Sequence, residues 1–396
     1  MMIEEADRMK RLPRYLFTII DDLKRDAISK GLDILDLGMG NPDVPTPDHI
    51  VEELCSRAKE PENHRYSRTI DKSEHELKRT IANWYQKKFG VKLDSGTEVV
   101  PLIGSKEGIA HVSLAFLNND DIALVPNPAY PVHFNGVLIA GGMLHNLPVS
   151  AENGFMPDLD NIPGDILKKS KMIFLSYPNN PTTAVATKEF YEKAVSFAKK
   201  NDIMLISDLA YSDIAFDGYR APSVLEIPGA KDVAIEFHSL SKSYNMAGWR
   251  IGFAVGNAKL LSSLAKTKGY MDFGIFKPIQ YAAIKALSGS QDCVNEQVKI
   301  YESRRDVMVK ALSDIGWEVP KPKATFYLWA RIPEKYSSLT SMEFVSLLIK
   351  EEGVVLSPGT GFGEGGEGFV RFALVEKEER LLEAAKRIKR VLDMKI

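Results

Sequence analysis

The stretch Ser239-Leu240-Ser241-Lys242-Ser243-Tyr244-Asn245-Met246-Ala247-Gly248-Trp249-Arg250 lies between two apolar runs, 233–237 and 251–255. Short apolar runs bounded by small and polar residues read as buried strands, so the stretch reads as a loop at a strand end. It gathers hydroxyls, an amine and a guanidinium. A lysine among apolar and small residues, with an arginine near it, has its pKa lowered by desolvation and like charge, which makes the amine a usable nucleophile. The serine hydroxyls and the planar fork of Arg250 suit a phosphate. Taken alone, such a segment is more often a solvated turn with a surface lysine, so the residues around it have to decide.

Outward from this loop, strand-like runs alternate with helical periodicity. The run 99–103 leads into Gly104-Ser105-Lys106-Glu107-Gly108 and a helical pattern over 109–117, and a strand follows at 122–125. A strand ending in Gly-Ser-Lys before a helix is either a plainly capped helix or an anion cradle built from free helix amides and a lysine. Asn127-Pro128-Ala129-Tyr130-Pro131 puts an aromatic ring at the next strand end. The strand 172–175 runs into Ser176-Tyr177-Pro178-Asn179-Asn180-Pro181-Thr182; a helix is expected over 189–200, a strand over 203–207, then Asp208-Leu209-Ala210-Tyr211. Such alternation implies a mostly parallel sheet between helices, with ligands beyond the carboxyl ends of its strands. Asn180, Asp208, Tyr211, Ser239 and Lys242 all follow predicted strands and can converge.

The flanks read differently. The N-terminus carries a basic cluster (Lys10, Arg11, Arg14) and an amphipathic helix through Ile19, Ile20, Leu23 and Ala27. A short strand at 34–37 precedes Gly38-Met39-Gly40, whose glycines make a turn and admit close approach of a ligand carboxylate. A helix is expected over 74–89. From about 285 the pattern becomes helix, strands at 317–320 and 326–330, a helix at 341–350, a strand at 354–357 and a charged final helix. The glycine-rich stretch Gly359–Gly368 permits movement ahead of Arg371, which sits inside the apolar strand Val370-Arg371-Phe372-Ala373. A buried arginine either pairs with a protein carboxylate or awaits an anionic ligand.

Composition limits the function classes. The 396 residues exceed one typical domain, and 44% hydrophobic with 26% charged residues is an ordinary globular mixture. A net charge of −2 recommends neither nucleic acid nor an anionic membrane as partner. Cys55 and Cys293 lie far apart without metal-type spacing, so neither a disulfide framework nor a metal site is indicated, and the thiols read as buried or incidental. The acidic N-terminus lacks an apolar signal region and no run of 18 apolar residues occurs, from which a cytoplasmic protein is expected.

The combination Asn180-Pro181-Thr182, Asp208-x-x-Tyr211, Ser239-x-Ser241-Lys242 and Arg250, in this order and spacing, resembles the class I aminotransferases of fold type I, which depend on pyridoxal 5'-phosphate. The resemblance runs from Gly40 to Arg371. It implies an α/β fold with a large cofactor-binding domain (46–285), a mostly parallel sheet between helices, and a smaller α+β domain (286–396) completed by an N-terminal arm (1–45). Lys242 would be the Schiff-base lysine and would shuttle the proton at the substrate Cα. Asp208 would pair with the pyridine nitrogen, Asn180 and Tyr211 would hydrogen-bond the phenolic oxygen, and Tyr130 would stack on the ring. Gly104, Ser105, Lys106, Ser239, Ser241 and Arg250 would hold the phosphate, with Tyr66 from a neighbouring subunit, which implies a homodimer. Arg371 would take the substrate carboxylate, helped by Asn180 and the backbone at Gly40.

Some positions depart from the pattern. Thr183 stands where the family usually has glycine, and Asp71-Lys72-Ser73-Glu74 replaces a glycine-led segment after Tyr66. No arginine occurs between Lys268 and Pro278, which argues against aspartate as substrate. The segments at 241–250 and 272–278 look like bacterial glutamate-pyruvate (alanine) transaminases; 104–111 and 323–327 occur there and in LL-diaminopimelate aminotransferases. The expectation is amino-group transfer between an L-amino acid and a 2-oxo acid, alanine and glutamate first, with Lys277 as a cation for a distal carboxylate. LL-diaminopimelate is the alternative, then aspartate or another amino acid; a carbon–sulfur lyase would share every residue named. A DNA-binding regulator is disfavoured, since the residues before Gly40 are too few for a further domain.

Overall fold

Seven segments of the chain form one mixed sheet: β1 (Val99–Leu102), β2 (Ile122–Asn127), β3 (Met143–Pro148), β4 (Ser170–Ser176), β5 (Met204–Asp208), β6 (Ala234–Ser239) and β7 (Gly252–Gly256). Their order across the sheet is β1-β7-β6-β5-β4-β2-β3. Only β7 runs against its neighbours; β2 to β6 pair in parallel. The computed structural model describes residues 4–13 and 16–394. Met1, Met2, Ile3 and Arg14, which belong to the N-terminal reading, lie outside the described residues.

Side chains alternate across this sheet, and both faces are covered. Ile173, Leu175 and Leu205 enter one apolar cluster with Tyr85, Tyr191 and Phe253, while Met172, Phe174, Ile206 and Phe237 enter another with Ile109 and Val112. Each buried side chain of this size contributes about 1.5–3 kcal/mol relative to exposure, so the strands read as continuous apolar runs. Helix Ser105–Phe116 covers one face and helix Lys188–Asn201 the other. Parallel order brings the loops after β4, β5 and β6, and the start of helix Ser105–Phe116, to one edge.

A separate cluster joins the two ends of the chain. Ile20, Leu35 and Leu37 pack with Met308, Leu328, Phe344, Val370 and Ile388. Leu35–Asp36 pairs in parallel with Val354–Val355. A three-stranded antiparallel sheet follows, of β8 (Tyr327–Arg331), β9 (Ser357–Pro358) and β10 (Phe369–Ala373) in the order β9-β10-β8. The amphipathic helix Leu16–Ser29 buries Ile20 and Ala27 and docks on helix Ser341–Glu352.

One expectation needs correction. Residues 317–320 form no strand: Trp317 is buried, its indole N–H donating to the Arg331 carbonyl at 2.8 Å, and Pro320 and Pro322 lack the N–H a ladder needs. Several glycines of 359–368 admit close packing: a Cβ at Gly359 would lie 1.8 Å from the Gly366 carbonyl oxygen, and one at Gly365 would lie 2.5 Å from that of Asn127. Cys55 is exposed and Cys293 half-buried, both as free thiols. Among the described residues no helix is long and apolar enough to cross a membrane.

Candidate active site

The loops at the sheet edge and the β8–β10 sheet enclose a cavity of about 300 Å³. Of the residues singled out in the sequence, Gly40, Ser105, Lys106, Tyr130, Asn180 and Asp208 line it, as do Tyr211, Ser239, Ser241, Lys242, Arg250 and Arg371. Gly104 lies against Arg250 just behind the wall. Tyr66 stands apart at 75% exposure, its ring 4.8 Å from that of Phe273.

One end of the cavity is an anion cradle. Helix Ser105–Phe116 begins there with its unpaired amides, Gly104 entering it at φ +77°. A Cβ at Gly104 would fall 2.3 Å from Arg250 Nη2, so glycine is what lets the guanidinium lie on the helix start. Arg250 itself takes a left-handed φ of +54°, and its Nη1 donates to the Ala247 carbonyl at 2.9 Å. Ser239 caps the short helix Leu240–Ser243, its Oγ accepting from the Ser241 amide at 3.2 Å. Lys106 holds its ammonium 5.9 Å from the Tyr130 ring centre.

The floor carries Lys242, whose Nζ donates to the Gly40 carbonyl at 2.7 Å. Burial, then the charges of Arg371 and Arg250, push its pKa from 10.5 down to about 7. At pH 7 about half of the amine is neutral, against about one part in 3,000 for an ordinary lysine. Asp208 is buried, and its Oδ2 lies 3.0 Å from His133 Nε2. Tyr211 shares a hydrogen bond with Tyr327, hydroxyl to hydroxyl at 2.9 Å; burial first, and Tyr327 next, hold its phenol well above the usual range.

Opposite Lys242 lies Arg371, 4% exposed. Nη1 donates to Asn180 Oδ1 at 2.6 Å, and Nη2 to the Gly38 carbonyl at 2.7 Å and Ser357 Oγ at 3.3 Å. The rings of Tyr327 and Phe362 flank the guanidinium at 4.1 and 4.6 Å. All these partners are neutral oxygens, and Nε is buried with none. A cation so placed is complementary to an anionic ligand.

Lys277 does not supply a further cation: its Nζ sits 3.0 Å from Asp71 and donates to the Glu62 carbonyl. Lys268 is likewise bound to Asp272 at 2.8 Å. Thr183 adopts φ +62°, the region glycine favours, yet the loop still delivers Asn180 to Arg371. His133 and Tyr327 were missed by the sequence reading. Among the described residues no cluster of His, Cys, Asp and Glu could hold a metal ion.

Comparison with known proteins agrees with this geometry. A family model described as aminotransferase class I and II matches residues 32–388. An LL-diaminopimelate aminotransferase of Aquifex aeolicus is 51% identical over 98% of this chain and 99% of its own length; further relatives at 47–50% share that name. The glutamate-pyruvate aminotransferase AlaC of Escherichia coli is 48% identical over 96% of this chain and 92% of its own. Among solved structures, substrate-bound BacF from Bacillus subtilis superposes with a TM-score of 0.93 at 40% identity, covering 100% of this chain and 99% of that one.

Proposed function

Because the chain belongs to the class I and II aminotransferases, and is thus a pyridoxal 5'-phosphate-dependent transferase, we propose that it moves the α-amino group between a small L-amino acid and a 2-oxo acid, with alanine and pyruvate as one pair and glutamate and 2-oxoglutarate as the other. The residues present fit the cofactor. Gly104, Ser105, Lys106, Ser239, Ser241 and Arg250 offer a cradle of amides, hydroxyls and cations for its phosphate. Asp208, backed by His133, offers a buried carboxylate for its ring nitrogen, and Lys242 offers a half-neutral amine for its carbonyl. When bound, the cofactor supplies an electron sink for the pair left as the substrate Cα–H bond breaks.

The chain's own residues do the rest. Arg371 and Asn180 bind and orient the substrate carboxylate, with the Gly40 backbone beside them. Lys242, facing the cavity from the other side, would take the substrate Cα proton and return it to the cofactor's former carbonyl carbon, across the nitrogen that is transferred. With the cofactor bound, Tyr211 and Asn180 would donate to its phenolic oxygen and Tyr130 would cover its ring. The observation that carries the reading is the pairing of a low-pKa lysine with an arginine whose Nε is unpartnered across one cavity.

The substrate follows from what remains. Lys106 and Arg250 stand at the phosphate cradle, Arg371 serves one carboxylate, and Lys268 and Lys277 are spent on Asp272 and Asp71. No uncommitted cation of the described chain meets a second carboxylate, which favours alanine over aspartate; glutamate would place its distal carboxylate among polar backbone groups. The names of the relatives favour LL-diaminopimelate as a second reading. Its distal ammonium and carboxylate need partners from outside this cavity. A second copy of the chain, docked on the exposed Tyr66, Ile70, Tyr270, Met271 and Phe273, would supply them and would bring Tyr66 to the partner's phosphate. We extend the proposal to that homodimer and to a division into 1–45, 46–285 and 286–396. The sheet core, however, reaches Val294 and Val298 at the start of helix Asp292–Asp314, whose later residues Met308 and Leu312 join the terminal cluster, so this helix bridges the two cores beyond residue 286.

The test is a single turnover of cofactor-loaded enzyme with L-alanine, L-glutamate and LL-diaminopimelate in turn, following the absorbance of the bound cofactor. Fast conversion by alanine and glutamate alone supports the first reading; fast conversion by diaminopimelate with sluggish alanine replaces it with the second.

A further inference from the structure

Tyr327 opens β8 opposite Ala373, and Trp329, two residues on, faces Arg371. Residues opposite each other in an antiparallel pair share a face, as do residues two apart on one strand, so Tyr327 is the diagonal neighbour of Arg371. Its ring therefore lies against the guanidinium, at 4.1 Å. Its hydroxyl reaches past the arginine to that of Tyr211, at 2.9 Å. The same hydroxyl occupies the space a side chain at position 40 would need: a Cβ on Gly40 would sit 1.9 Å from it. Gly40 in turn accepts the hydrogen bond of Lys242 Nζ. One buried side chain thus touches three segments far apart in sequence, each carrying a group of the site.

We propose that Tyr327 is a positioning residue that couples substrate-carboxylate recognition to the tyrosine beside the cofactor, its ring supporting Arg371 and its hydroxyl polarising Tyr211. The inference rests on the roles given above to Tyr211 and Arg371. Each phenol has a single proton to donate. Once Tyr211 gives its proton to the phenolic oxygen of the cofactor, the bond between the two tyrosines has one possible sense, with Tyr327 donating and Tyr211 accepting. A donor that is itself receiving a hydrogen bond donates more strongly. Tyr327 thereby strengthens the stabilisation of an anionic oxygen, which favours the deprotonated form of the bound cofactor and lowers its titration midpoint.

Two substitutions separate the functions. Tyr327→Phe keeps the ring and removes the hydroxyl; the absorbance–pH midpoint of the loaded enzyme is expected to rise by about half a unit, with KM for L-alanine changed less than about twofold. Tyr327→Leu also removes the ring; KM for L-alanine is expected to rise about thirtyfold, the worth of a desolvated cation–π contact. Thermal melts of both variants separate these effects from lost stability. Tyr211→Phe is the control. A shift with Tyr211→Phe but none with Tyr327→Phe overturns the coupling and leaves the functional reading standing. No shift with either removes the role of Tyr211 and this proposal with it. An unchanged KM in Tyr327→Leu refutes the support of Arg371.

Discussion

Glu236 and Arg371 are both charged, both buried, and both on strands of this fold, yet their surroundings are opposite. Glu236 is fully enclosed and accepts hydrogen bonds from Tyr85 at 2.6 Å, Ser207 at 3.0 Å, the Val224 amide at 2.9 Å and, with the ring nitrogen as donor, His238 at 2.9 Å. Burial alone would raise its carboxyl, but His238, Tyr85 and the Val224 amide bring it below the usual range. Arg371 finds three neutral acceptors and leaves Nε without any. A buried charge answered from within belongs to the architecture, whereas one left unanswered and facing a cavity is prepared for a ligand. The same contrast separates Asp213, paired with Lys88 and Ser243, from Lys242 one residue along from that serine.

That contrast can be broken by substitution. Lys242→Ala should lower transamination by about 10⁴-fold, since nucleophile and proton carrier are lost together, while the fold and phosphate cradle persist; steady-state assays and a thermal melt read the two effects. Glu236→Ala should do the reverse. Four donors lose their acceptor, and urea unfolding should show a loss of about 3 kcal/mol with KM unchanged. The sign with pH follows from the lowered carboxyl: its contribution is present above the ordinary carboxylate range and is lost as pH falls through the depressed pKa, so the variant's acid limb should be flatter than the parent's. Arg371→Ala should cost about 10²-fold in kcat/KM, mostly through KM, with stability changed by less than about 1 kcal/mol.

The smallest expected effect concerns the cofactor-free protein. Only neutral Lys242 attacks a carbonyl, so uptake of pyridoxal 5'-phosphate should slow about tenfold per unit below pH 7 and level off above it. In Arg371→Ala one like charge is gone, and the plateau should begin at higher pH. Stopped-flow absorbance distinguishes this from an ordinary lysine, for which the rate would keep climbing towards pH 10.

Much of this was readable in the sequence, for a physical reason. Parallel strands buried on both faces are continuous apolar runs: the expected strand 172–175 falls within β4, and 203–207 overlaps β5 at all but Ile203. Their carboxyl ends then located Asn180 and Asp208. Strand β3 escaped notice because it forms the sheet edge, where Met143, Asn146 and neighbours face outward and no apolar run is required. His133 escaped because its partner is 75 residues away; the only local sign is a histidine in the first turn of a helix that starts at the loop of Tyr130. Tyr327 looked like one more aromatic in an apolar strand, and its hydroxyl contacts exist only once β8 lies beside β10. Lys277 looked free because its partner, Asp71, comes from a distant loop.

The most direct measurement is reduction of the cofactor-loaded enzyme with borohydride, followed by digestion and peptide mass mapping. The account predicts a single pyridoxyl adduct on the peptide carrying Lys242. An adduct confined to another lysine, Lys106 included, or none in enzyme that still turns over, would contradict it.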